Sequence, residues 1–134
     1  MAAKEYYFET DRLMIWRPHG ILDTTKINEF IKFLEESSIT RDPHFSRFID
    51  LSQISGISVQ YQDLYPIARQ RKSYFRTNIK QTVKMAFLAN DPFSYGMARM
   101  YQALSDEPTL DMHITESREE VSAFLGVDLS LITV

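Results

Sequence analysis

The chain has 134 residues, of which 44% are hydrophobic, 13% aromatic and 25% charged; that composition belongs to one globular domain and not to a disordered or fibrous chain. It contains no cysteine, which excludes a disulfide scaffold, a thiolate nucleophile and any cysteine-ligated zinc or iron–sulfur centre. Fifteen basic residues against eighteen acidic ones leave a net charge of −3, and this is not the balance of a general nucleic-acid binder. The first residues carry Glu5 and Glu9 where a signal peptide needs an apolar core, and the longest uninterrupted apolar run is Met85 to Ala89, far short of a membrane span. The expectation is a single domain over residues 1–134, soluble and cytoplasmic, with no transmembrane segment.

Taken in chain order, the pattern alternates strands and helices. Tyr6 to Glu9 and Leu13 to Arg17 are rich in aromatic and branched residues around Thr10-Asp11, which predicts an antiparallel pair. Pro18 and Gly20 are read as breaking the strand. Asp23 or Thr24 caps a helix with Ile27, Phe30, Ile31 and Leu34 at helical spacing, ending near Ser37-Ser38. Phe45 to Leu51 reads as a strand, and Ser52 to Gln62 as a long loop. Asp63 is the expected cap of the next helix, placing Pro66 in its first turn and its end near Phe75.

The second half is more regular. Val83 to Ala89 is nearly continuously apolar, as for a strand covered on both faces. Asn90-Asp91-Pro92 signals a helix start with proline just inside, followed by Phe93, Met97, Met100, Tyr101 and Leu104 on one face. Leu110, Met112 and Ile114 alternate with Asp111, His113 and Thr115, the pattern of a half-buried strand with His113 outward. Ser117 with Glu120 fits a capping box, Val121, Phe124 and Leu125 form a buried stripe, and Gly126 ends the helix. The order β-β-α-β-α-β-α-β-α predicts an α/β fold: a mixed, mainly parallel five-stranded sheet with about four helices. Over residues 127–134, apolar and polar residues alternate as far as Leu131. The tail is therefore expected to pair as an edge strand or pack across a homodimer, or else to lie in a groove of its own domain.

Catalytic motifs are few. Gly20, Gly56, Gly96 and Gly126 are too scattered for a phosphate-cradling loop, no nucleophile elbow is present, and His19, His44 and His113 stand far apart. No metal site and no cofactor is expected, and nothing positively supports an enzyme. Charge, however, is unevenly placed. Residues 61–90 hold Arg69, Arg71, Lys72, Arg76, Lys80 and Lys84 against Asp63, whereas residues 91–134 hold Arg99 and Arg118 against eight acids. Opposite patches on one small domain can steer a partner.

In open α/β sheets, ligands and partners bind at the carboxyl ends of parallel strands. Here that edge is expected to comprise the Ser52–Gln62 segment, with Ser52, Ser55 and Ser58, together with Asn90 and Asp91. The following helix presents Tyr65, Arg69, Arg71, Lys72 and Arg76, a candidate surface for an anion or a protein partner.

The segment Arg47-Phe48-Ile49-Asp50-Leu51-Ser52, followed by Ile54, resembles the strand and loop of STAS domains. Gly96 to Leu104 and Glu119 to Gly126 are similar to the SpoIIAA-like branch, grouped with STAS and SEC14 (CRAL-TRIO) domains. The resemblance implies a mainly parallel sheet flanked by helices. In antagonist STAS domains a phosphorylated serine follows the strand; counted from Asp50-Leu51-Ser52, that position is Val59 here, so the phosphoswitch does not carry over, and Ser55 and Ser58 are the neighbouring hydroxyls. The leading functional expectation is a non-catalytic binding or regulatory module acting through protein–protein interaction with a partner not named by the sequence. The alternative, implied by the CRAL-TRIO side, is a carrier or sensor of a lipid or small apolar anion.

Overall fold

The computed structural model describes residues 5–133. The elements run β1 (Tyr6–Thr10), β2 (Leu13–Trp16), β3 (Gly20–Asp23), α1 (Thr24–Thr40), β4 (Ser46–Asp50), β5 (Ile54–Ser58), α2 (Tyr61–Asn78), β6 (Val83–Leu88), α3 (Pro92–Leu104), β7 (Leu110–Thr115), α4 (Arg118–Leu125) and α5 (Leu129–Ile132). Five strands form one sheet in the order β1-β2-β4-β6-β7. β1 is antiparallel to β2, and the remaining neighbours are parallel. The expected mixed, mainly parallel five-stranded sheet is therefore present.

Strand order explains where the helices lie. From β2 to β4, β6 and β7 the sheet grows in one direction, so right-handed crossovers place α1, α2 and α3 on the same face. The side chains alternate to match. Met14, Trp16, Ile49, Met85 and Phe87 join a core with Phe30 and Leu34 of α1 and Ala98 of α3. Leu13, Ile15, Phe48, Ala86 and Leu88 point the other way, against Val121 and Leu125 of α4 and Ile132 of α5. The strands of an α/β sheet must be apolar on both faces to do this. A second consequence follows: strand order does not reverse among the parallel strands, so the sheet lacks the switch-point crevice in which doubly wound folds seat nucleotides.

Three sequence expectations are corrected. The first concerns Pro18 and Gly20, which do not end extended structure. Gly20 has φ +70°, a conformation that glycine adopts without steric cost; it redirects the chain into β3, which pairs in parallel with β5 as a separate two-stranded ribbon. The expected Ser52–Gln62 loop thus contains a strand. Ile-Ser-Gly-Ile-Ser does not alternate apolar with polar, so its sequence has no period-2 signal.

The second correction is to α2, which starts at Tyr61 with Gln60 as cap and continues to Asn78. Asp63 is not the cap but the reciprocal carboxylate, accepting from the Gln60 backbone N–H at 2.9 Å. Pro66 therefore lies inside the helix. It is exposed, as is Gln62, so water can serve the carbonyl that proline leaves without a donor.

The third concerns the C-terminal tail, which is not an edge strand. Asp128 caps the short helix α5 by accepting from the Ser130 N–H at 2.9 Å, and Ile132 is fully buried within its own domain. His113, expected outward, is half-buried and stacks on Phe124 with ring centroids 5.1 Å apart. No helix among the described residues is long and apolar enough to cross a membrane.

Candidate functional site

The carboxyl edge of the parallel strands carries the N-terminus of α3, flanked by two open grooves. One, of about 710 Å³, is lined by Ile54, Ser55, Ile57 and Val59 of the β5 segment and by Phe93, Met97 and Met100 of α3. The other, of about 780 Å³, runs between α3 and the β7–α4 connection past His113, Glu116 and Glu120. Asp91, Pro92 and Gly96 line both. Phe93 is 81% exposed, on a wall otherwise built from aliphatic and thioether side chains.

The candidate edge residues separate into three roles. Asp91 caps α3, accepting from the backbone N–H of Phe93 and Ser94 at 3.0 Å each and from Ser94 Oγ at 2.5 Å. The Ser94 hydroxyl and N–H, then the Phe93 N–H, hold its carboxyl below the usual carboxylate range. A carboxylate already occupies this helix start, so the α3 terminus does not offer free N–H groups to a phosphate. Ser52 points into the protein: its Oγ donates to Asp50 Oδ1 at 2.6 Å and accepts from Arg118 Nη2 at 3.1 Å. Ser55, Ser58 and Asn90 are exposed.

The candidate basic surface divides as well. Tyr65, Arg69, Lys72 and Arg76 line one shallow groove of about 550 Å³ between α2 and Leu104. Arg71 is not among them. It faces the interior at 5% exposure, with Nη1 3.4 Å from Glu35 Oε2 of α1 and its guanidinium 4.7 Å from the Tyr74 ring centroid. Helical spacing decides this, since Leu64, Ile67, Ala68, Arg71 and Phe75 form the buried stripe of α2.

Two buried charges escaped the sequence reading, and both belong to β4. Asp50, fully buried, receives Arg17 Nε at 3.1 Å and Arg118 Nη1 at 3.3 Å on the α4–α5 face. Arg47, 1% exposed on the opposite face, donates to the Phe45 and Pro43 carbonyls at 2.8 and 3.3 Å. Burial, and secondarily the Arg71 charge, push its pKa down to about 9, so it remains cationic near neutral pH. Within a strand, a charged residue next to apolar ones reads as outward-facing; here both faces are covered.

Among the described residues, no group of three acids or histidines could hold a metal ion. His44 is structural, its Nδ1 2.6 Å from Asp42 and its Nε2 accepting from the Lys80 N–H at 2.9 Å. An interior cavity of about 60 Å³ lies between the sheet and α1–α3, lined among others by Trp16, Leu34, Ile67, Arg71, Met85 and Tyr101. Compared with known proteins, the chain matches no family model, no curated protein and no solved structure.

Proposed function

We propose that the chain is a non-catalytic binding or regulatory module that engages a protein partner through the grooves flanking the α3 N-terminus, with the basic face of α2 as a second contact surface. The observation that carries this reading is Phe93, 81% exposed above Ile54, Ile57, Val59, Met97 and Met100. A large aromatic set in an apolar depression with polar residues around it is the anatomy of a docking patch. The acids Asp91, Glu116 and Glu120 border the adjoining groove, while Arg69, Lys72 and Arg76 mark the α2 groove. This separation of sign supports an oriented encounter. A STAS-type or SpoIIAA-like affiliation fits the same architecture and belongs to the proposal.

The carrier alternative is less well supported. A pocket for a drug-sized molecule occupies about 300–1,000 Å³, whereas the interior cavity measures about 60 Å³. An acyl lipid does not fit it.

Site-specific photo-crosslinking distinguishes an interface from exposure alone. A photoreactive phenylalanine at position 93 is compared with one at position 39, because Ile39 is equally exposed, at 83%. In cells, a discrete adduct at 93 that is absent at 39, and absent when unlabelled protein competes, supports the module. Phe93→Glu should abolish the adduct of a probe placed at Met100 while leaving the melting temperature unchanged. Equal labelling at 93 and 39 contradicts the reading.

A further inference from the structure

Arg71 is the most unusual residue of the interior. It is a buried cation whose Nη1 reaches Glu35 at 3.4 Å, and whose Nη2 is buried with no hydrogen-bond partner. Unpaired buried donors are costly, and unpaired buried charges more so. The charge count sharpens the point. Arg47 and Arg71 approach the Phe75 ring to 5.5 and 5.7 Å from its centroid, and among the described residues Glu35 is the carboxylate paired with either of them. An excess positive charge is therefore buried here.

Two voids adjoin this guanidinium. The 60 Å³ cavity is apolar apart from Arg71 itself. A smaller one, of about 10 Å³, is lined by Arg71, Met85, Tyr101, Ser105 and Glu107. Ser105 Oγ is likewise buried and unpartnered. Arg71, Met85 and Tyr101 border both voids, so a polar pocket with two free donors stands beside an apolar one. Glu107 is engaged by Arg76 Nε at 3.2 Å, which offsets its charge toward an entering anion.

We propose that these voids form a binding site for a small amphiphilic monoanion, a carboxylate with a short apolar tail. The head group accepts from Arg71 Nη2 and Ser105 Oγ, and the tail lies among Leu34, Ile67 and Trp16. Size sets the tail. A cavity of about 150 Å³ accepts the six carbons of benzene, so about 60 Å³ accommodates two or three carbons, as in propionate or butyrate. Because Arg71 is 5% exposed, the ligand is a free molecule small enough to be enclosed, not a lipid or a peptide terminus. This inference is independent of the docking grooves.

Trp16 is the one tryptophan of the chain and lines the cavity, so its fluorescence reports occupancy directly. The intact protein is titrated with sodium butyrate at constant ionic strength, with butyramide, the uncharged amide, in parallel. Butyrate should give a saturable change and butyramide none. Arg71→Gln should weaken butyrate binding at least tenfold. Should that variant not fold, Leu34→Phe keeps Arg71 and fills the tail pocket, and it should weaken binding to the same degree. No saturable response up to tens of millimolar, equal responses to acid and amide, or unchanged binding by Leu34→Phe would overturn the site. In the first case the small void holds at most a bridging water.

Discussion

Arg17 and Asp50 form a buried ion pair 3.1 Å long at the carboxyl ends of two adjacent parallel strands. Arg118 adds a second guanidinium to the same oxygen, Oδ2, at 3.3 Å, while Oδ1 accepts from the Ser52 N–H at 3.0 Å. Both arginines also donate to the Ile132 carbonyl, at 2.6 and 3.2 Å. One carboxylate thereby ties β2, β4, α4 and the C-terminal helix together. A buried carboxylate is tolerated only when so fully paired.

Removing that carboxylate strands two cations. Asp50→Ala should cost about 3–5 kcal/mol, the range for breaking a buried ion pair from one side. Urea denaturation of the two proteins measures the difference. A loss below about 1 kcal/mol would mean that water serves the arginines instead.

The C-terminal helix is a structural element of its own domain. Deleting residues 129–134 removes the fully buried Ile132 side chain and the shared acceptor of Arg17 and Arg118. Losing one large aliphatic side chain and leaving donors unpaired should cost about 3 kcal/mol or more. Light scattering should show the same oligomeric state for both chains. A change of oligomeric state with little loss of stability would instead indicate packing across two copies.

The cap of α3 should respond to acid. The Asp91 carboxyl lies below its ordinary value because Ser94 and Phe93 donate to its charged form. Across the acid range the unfolded chain therefore binds more protons at this site than the folded one. The cap's contribution is full above the ordinary carboxylate pKa of about 4, and it is lost as pH falls through the folded value. Asp91→Asn retains capping geometry without titration, so it should flatten this limb of the stability–pH curve. Asp91→Ala should cost about 1 kcal/mol at neutral pH.

Gly126 closes α4 at φ +69°, and a Cβ added there meets nothing within 4 Å. Gly126→Ala therefore isolates the backbone term and should cost about 1–2 kcal/mol. Gly126→Asn should cost less, since asparagine tolerates the left-handed region better. Thermal unfolding of the three proteins ranks them.

Local chemistry was enough to place most elements. Asp91-Pro92 and Ser117 mark helix starts because their side chains or ring satisfy local geometry, and Gly126 marks an end because φ is positive there. The apolar run Val83–Leu88 identifies a doubly covered strand by itself. Those signals act within a few residues, so the sequence determined the α/β alternation, the parallel sheet and the α3 edge with Asp91.

Only tertiary structure decided the rest. β3 and β5 are four and five residues long, and they exist because each supplies the other's hydrogen bonds, a relation between distant segments. Arg71 and Arg69 are near neighbours on one helix, yet packing against α1 buries the first and leaves the second exposed. Arg47 and Asp50 read as surface charges until both faces of β4 are covered. The tail's alternation predicts a strand equally well as a helix packed on α4, and the Arg17 and Arg118 guanidiniums select the latter by claiming its carbonyl. Burial of charge depends on which segments meet, and short-range pattern carries no record of that.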